Sequence, residues 1–93
     1  MIKSFKDKET EKIFNGIASI KYNAIQSAAK RKLDMLHFAY AEKDLTAPPA
    51  NRFEHLKGSL KGYCSIRINN QFRLIFQFKE GNAENVYIDD YHK

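Results

Sequence analysis

The chain predicts an α+β fold: two N-terminal helices packed on one face of a small, largely antiparallel curved sheet, in the order β-α-α-β-β-β-β. Three observations carry this. Apolar residues recur at helical spacing across the first forty positions. Three segments between Gly62 and His92 alternate apolar and polar residues. Between them lie two turn signals, Asn69-Asn70 and Glu80-Gly81-Asn82. The 93 residues suit a single domain, 1–93, with a modest core.

Residues 1 to 6 alternate weakly and are expected as a short first strand. Asp7 is placed to cap a helix, with Glu9 and Glu11 at its positive end. Ile13, Phe14 and Ile17 form its apolar stripe, and Gly16 can end it in the left-handed region. After a loop at 18–22, Asn23 is expected to cap a second helix, with Gln26 at the reciprocal capping position. Ile25, Ala28, Ala29, Leu33, Leu36 and Tyr40 should face the core, and Lys30, Arg31, Asp34 and His37 the solvent. This helix is expected to run out near Lys43. Thr46-Ala47-Pro48-Pro49-Ala50 reads as a non-helical linker, because each proline lacks a donor and restricts its predecessor.

A short strand is expected at 52–56, then a loop with two glycines and two lysines at 57–62. In the next strand Cys64, Ile66 and Ile68 face one way, and Tyr63, Ser65 and Arg67 the other. In the strand at 71–79, Phe72, Leu74, Phe76 and Phe78 share a face, opposite Gln71, Arg73, Ile75, Gln77 and Lys79. One sheet face therefore packs on the helices, and the other is polar and cationic.

The formal charge of +5 permits a polyanionic partner. Residues 52–79 carry six cations against Glu54 alone, whereas 80–93 carry Glu80, Glu84, Asp89 and Asp90 against Lys93. Mutual neutralisation within one sheet is the plain reading of that asymmetry. A single cysteine excludes an internal disulfide framework and suits a reducing cytoplasm. No apolar run is long enough for a membrane helix, and the first residues lack the apolar centre of a signal peptide. His37, His55, His92 and Cys64 have no metal-ligand spacing, so no metal and no cofactor is expected. A Cys64–His92 nucleophile pair is disfavoured by the position of Cys64 on the apolar face.

The remaining constellation is Lys57, Arg67, Arg73, Asp90, Tyr91 and His92. RNA can be cut by attack of its own 2′-hydroxyl on the adjacent phosphate. That reaction needs a base, an acid for the leaving 5′-oxygen, and cations for the charged phosphorane. Histidine and aspartate suit the proton transfers, arginine and lysine the charge, and tyrosine can stack on a base. Against this, Asp90 can simply pair with Arg67 or Arg73 across strands. Its parity also matches the buried-looking Val86 and Ile88.

Three stretches, Pro-Pro-Ala-Asn-Arg-Phe-Glu-His-Leu-Lys-Gly from Pro48, Gly-Tyr-Cys-Ser-Ile-Arg-Ile-Asn-Asn-Gln-Phe-Arg from Gly62, and the terminal Asp-Tyr-His, resemble the HigB group of the RelE/ParE toxin superfamily. The resemblance implies a RelE-like fold and a toxin of a type II toxin–antitoxin pair that cuts mRNA in the ribosomal A site. It implies a HigA-type helix-turn-helix antitoxin, which binds promoter DNA in the complex. By position, Asp90, Tyr91 and His92 would be catalytic with Arg73, and Lys57, Arg67, Lys61 and His55 would bind substrate. Ser59-Leu60-Lys61 departs from the Asp/Asn-Arg pair frequent in the family. The ParE branch poisons DNA gyrase instead, and a non-catalytic RNA- or protein-binding module is the third reading.

Overall fold

The computed structural model describes residues 1–90. Tyr91 and His92 lie outside the described residues. A four-stranded antiparallel sheet, β1 (Glu54–His55), β2 (Cys64–Arg67), β3 (Phe72–Lys79) and β4 (Asn82–Asp90), runs in sequence order. Helices α1 (Lys8–Phe14) and α2 (Gln26–Phe38) cover one face, and a short α3 (Lys43–Thr46) leads toward β1. The expected α+β architecture is present, and its boundaries shift for identifiable reasons.

The first strand is reduced to two parallel bridges, Ile2 to Ala83 and Phe5 to Val86, along the outer edge of β4. Asp7 caps α1 as expected: its Oδ1 accepts from the Thr10 amide at 2.7 Å. Gly16, at φ 78°, follows the helix, and the Ile17 amide bonds back to the Lys12 carbonyl at 2.8 Å. Asn23 opens a 3-10 turn, Asn23–Ile25, rather than capping α2. Gln26 instead reaches back into the preceding loop, accepting from the Ser19 amide and donating to the Ile17 carbonyl, both at 2.9 Å.

Helix α2 stops at Phe38, so Tyr40 is 90% exposed and does not reach the core. His37 is half-buried rather than a surface residue: its Nδ1 accepts from the Ile2 amide at 3.1 Å, and its ring lies against Phe14 and Phe38. The segment expected as a plain linker contains α3 and a 3-10 turn, Pro49–Asn51. Pro49 opens that turn, where a missing amide donor costs nothing.

The core joins Ile13, Ala29, Leu33 and Leu36 of the helices to Ile66, Leu74, Phe76, Val86 and Ile88 of the sheet. Thr10, fully buried on α1, ties the layers: its hydroxyl oxygen accepts from the Ile88 amide at 3.1 Å. The Glu80-Gly81 turn carries positive φ at both residues, as a two-residue hairpin needs. Gly81 is doubly constrained, because a Cβ there would sit 3.0 Å from the Tyr40 carbonyl oxygen. The Asn69-Asn70 turn works differently from the expectation. Neither asparagine has positive φ; the Asn69 Oδ1 accepts from the amides of Gln71 and Phe72 at 2.9 and 2.7 Å.

Pairing of β3 with β4 breaks between Ile75–Tyr87 and Gln77–Glu84, where Asn85 and Val86 face the single residue Phe76. This is a β-bulge, with Asn85 at φ 54°. It puts Tyr87 and Asp89 on the open face of the sheet, opposite Ile75 and Arg73, and leaves Val86, Ile88 and Asp90 on the helix side.

Candidate functional site

The open face centres on two arginines. Arg67 and Arg73 are direct cross-strand partners, and Asp89 continues the row on β4. Like charges placed opposite one another cost about 0.2–1 kcal/mol, so the pairing needs compensation. Neighbours supply part of it. The Arg67 Nε donates to the Asn69 carbonyl at 3.1 Å, and its Nη2 to the Asn70 side chain. The Arg73 Nη1 donates to Glu54 Oε1 at 2.9 Å and to Ser65 Oγ at 3.2 Å. Lys32 adds positive potential from α2: its ammonium pKa is lowered by burial first, then by Arg31 and Arg67.

Arg52, Glu54, Ser65, Arg67 and Arg73 line a cleft of about 180 Å³. Its floor is low because Ser65, fully buried, is small. Arg52 reaches the wall from a left-handed backbone, φ 46° and ψ 51°, at the end of the 49–51 turn. Such a conformation in a non-glycine residue costs of order 1–3 kcal/mol and is held by its surroundings. Asn51, fully buried, anchors it by accepting from Lys32 Nζ at 2.6 Å and donating to the Leu45 carbonyl at 3.0 Å. Arg52, Arg67 and Arg73 outnumber the two carboxylates beside them, Glu54 in the lining and Asp89 opposite Arg73, so the cleft is cationic on balance.

The other sequence-derived residues fall in different places. Lys57 and Lys61 bracket the 3-10 turn Gly58–Leu60, both exposed. His55 shares a row with Cys64 and Phe76, on the side of the sheet opposite Glu54 and the cleft. Its Nε2 lies 2.8 Å from Glu42 Oε1, and its Nδ1 lies 3.5 Å from Cys64 Sγ. Cys64 is buried, and burial first, with Glu42 second, pushes its thiol up to about 11. It is a packing residue at neutral pH.

Asp90 does not sit across from either arginine. It pairs with Phe72, and its Oδ2 accepts from Gln71 Nε2 at 2.9 Å. It lines a second hollow with Asp7, Lys21, Tyr22, Phe72, Ile88 and Asp89, around the end of β4. The carboxylate facing Arg73 is Asp89, which sequence reasoning passed over. Arg52, Glu54 and Ser65 were also missed as cleft residues; alternation in β2 already placed Ser65 on the cationic face.

Among the described residues, no cluster of three His, Cys, Asp or Glu side chains is arranged to hold a metal ion, and no helix is long and apolar enough to cross a membrane.

Comparison with known proteins agrees with this picture. Residues 3–92 match the family described as RelE-like toxin of type II toxin-antitoxin system HigB. Toxin HigB-1 of Vibrio cholerae serotype O1 is 50% identical over 91 residues, covering 96% of each chain. An uncharacterized protein of Haemophilus influenzae is 41% identical over 59 residues, 63% of this chain and 58% of its own. Among solved structures, YafQ from E. coli superposes with a TM-score of 0.59 at 16% identity, covering 92% of this chain and 89% of YafQ. That likeness speaks to the fold, which both chains share. The match across nearly the whole chain places this protein in the HigB family of RelE-like toxins, each the toxin half of a type II pair with an antitoxin partner.

Proposed function

We propose that the protein is a ribosome-dependent mRNA endonuclease that inhibits translation in the cytoplasm. The observation that carries this reading is the Arg67–Arg73 pair, set directly opposite one another over the small Ser65 on the open face of the sheet. A phosphate there would offset the mutual repulsion of the arginines and replace the exposed Glu54 as the acceptor for Arg73.

In this reading the RNA's own 2′-hydroxyl loses its proton to a base and attacks the scissile phosphate, the bond to the 5′-oxygen breaks with that oxygen taking a proton from an acid, and a 2′,3′-cyclic phosphate is left. Arg73 stabilises the phosphorane and Arg67 supports it. His92 transfers the proton, Asp90 is its partner or alternative, and Tyr91 orients the nucleotide. Lys57 and Lys61 contact RNA around the site, whereas His55, expected to join them, lies on the other side of the sheet from the cleft. The partners are a HigA-type helix-turn-helix antitoxin, which carries the complex to promoter DNA, and the 70S ribosomal A site.

The test is primer extension on a translated mRNA, with and without ribosomes, using wild type, Arg73→Ala and His92→Ala. Cleavage that requires ribosomes and disappears in both folded variants is the expected result. Full cleavage by His92→Ala would remove that residue from the mechanism. Absence of cleavage by wild type, with inhibition of gyrase supercoiling, would replace the reading by a ParE-like one.

A further inference from the structure

Beyond the arginine cleft, the same sheet face carries an aromatic and cationic cluster that the proposed chemistry leaves unused. Tyr63 lies two residues before Ser65 on the same face, and Tyr87 pairs with Ile75, whose other partner is Ser65. The two rings stand 6.4 Å apart at 75°. The Lys6 ammonium lies over both, 4.8 Å from the Tyr87 centroid and 5.7 Å from that of Tyr63. Both tyrosines are half-exposed and Lys6 is exposed.

The cluster is positioned by the fold. The Lys6 amide donates to the Val86 carbonyl at 2.9 Å, so its backbone is tied to β4 at the bulge while its side chain extends over the open face. The bulge also turns Tyr87 onto that face. Residues two apart on a strand are about 7 Å apart, so the rings begin one side chain beyond the cleft. A nucleotide whose phosphate sits on Arg67 and Arg73 has a neighbouring base within reach of them. Unpaired bases stack on aromatic rings in basic grooves whatever their identity, and a lysine above the rings adds an attraction to the backbone.

We propose that Tyr63, Tyr87 and Lys6 form a stacking subsite for an unpaired nucleobase next to the arginine cleft; this rests on reading that cleft as a phosphate site. The ligand class is single-stranded RNA, and Lys6 swings from the rings toward the entering strand.

The experiment uses a 2′-O-methyl oligoribonucleotide, which cannot be cut, both free and seated in the A site of programmed ribosomes. Copies with a single abasic position are compared with the intact strand by fluorescence anisotropy. Removing one base is expected to weaken wild-type binding about 5- to 150-fold at one position. Tyr63→Leu with Tyr87→Leu should weaken intact-strand binding by the same factor and abolish the preference over the abasic strand. Tyr63→Phe with Tyr87→Phe should retain it, and circular dichroism checks that each variant is folded. Equal binding of intact and abasic strands in wild type, or no binding in either format, overturns the subsite. So does a leucine variant that keeps the preference and instead loses affinity for the antitoxin, which would mark a protein interface. Because the probe is never cut, wild type that fails to cleave unmodified mRNA but still prefers the intact strand would sink the nuclease reading alone.

Discussion

The two faces of the sheet come from the same strands and answer to different physics. On the helix side, Cys64, Ile66, Leu74, Phe76, Val86 and Ile88 are all buried beneath α1 and α2. On the open side, Ser65 and Ile75 are buried just as deeply, at 1% and 2% exposure, although α1 and α2 cover the other face. What covers them is long side chains lying across the sheet, as when Arg73 extends over Ser65 to reach Glu54. Stems of arginine and tyrosine exclude water while their polar ends remain partly wet. The helix face is thus filled by packing. The open face is a shallow relief, low where the residue is small and walled where it is long.

Substitutions in neighbouring residues of β3 should separate these roles. Leu74→Ala deletes a fully buried side chain of the helix face. It should cost about 2–5 kcal/mol and lower the melting temperature by roughly 10–30 °C, measured by circular dichroism. Arg73→Ala, one residue away on the open face, should lower the cleavage rate by about 10²–10³-fold. The Glu54 end of its ion pair is exposed, but the Arg73 side chain is only 25% exposed and helps cover Ser65, so its melting temperature should fall by less than that of Leu74→Ala rather than stay unchanged. Equal losses of stability in the two variants would erase the distinction between the faces.

The bulge can be probed with Asn85→Val. A β-branched residue is strained at φ 54°, and the change also removes the 2.6 Å bond from Asn85 Nδ2 to Gln77 Oε1. A loss of about 1–3 kcal/mol in urea unfolding is expected. An unchanged midpoint would show that the left-handed conformation at 85 is dispensable. The smallest effect is a pH dependence on the helix face. The Cys64 thiol titrates near 11 instead of its ordinary 9, so the folded chain holds this proton where the unfolded chain has released it. Its contribution is complete below pH 9 and is lost as the pH rises toward 11. Wild type should lose more of its urea midpoint between pH 8 and 10 than Cys64→Ala does. Parallel losses would contradict the burial of the thiol.

Much of this was legible in the chain. Alternation in β2 and β3 assigned Arg67, Arg73 and Ser65 to one face, because local period-two patterns survive folding when one face is buried. The Asp7 cap and the Glu80-Gly81 turn are likewise decided within a few residues. What could not be read depends on distant contacts. The exposed position of Tyr40 follows from the early end of α2, and the left-handed Arg52 from a turn anchored on Lys32 and Leu45. In β4, the apolar residues Ala83, Val86 and Ile88 are spaced by three and then two. The three is the mark of the bulge, and it reads as noise until the N-terminal segment is seen pairing along that edge.

That extra residue gives β4 something akin to a reading frame. Asn85 and Val86 both face Phe76, so deleting Asn85 would leave a regular strand in which Val86 alone faces Phe76 and every later residue keeps its side. Regular pairing that kept Asn85 opposite Phe76 would instead turn Tyr87 and Asp89 toward the helices, and Val86, Ile88 and Asp90 toward the open face. Changes of length at the hairpin tip leave that frame intact provided the bulge persists, so the tip can vary in length while the strand's end keeps its orientation. The bulge thus sets which side of the sheet the strand's end presents, with Asp89 facing Arg73 and Asp90 facing Phe72.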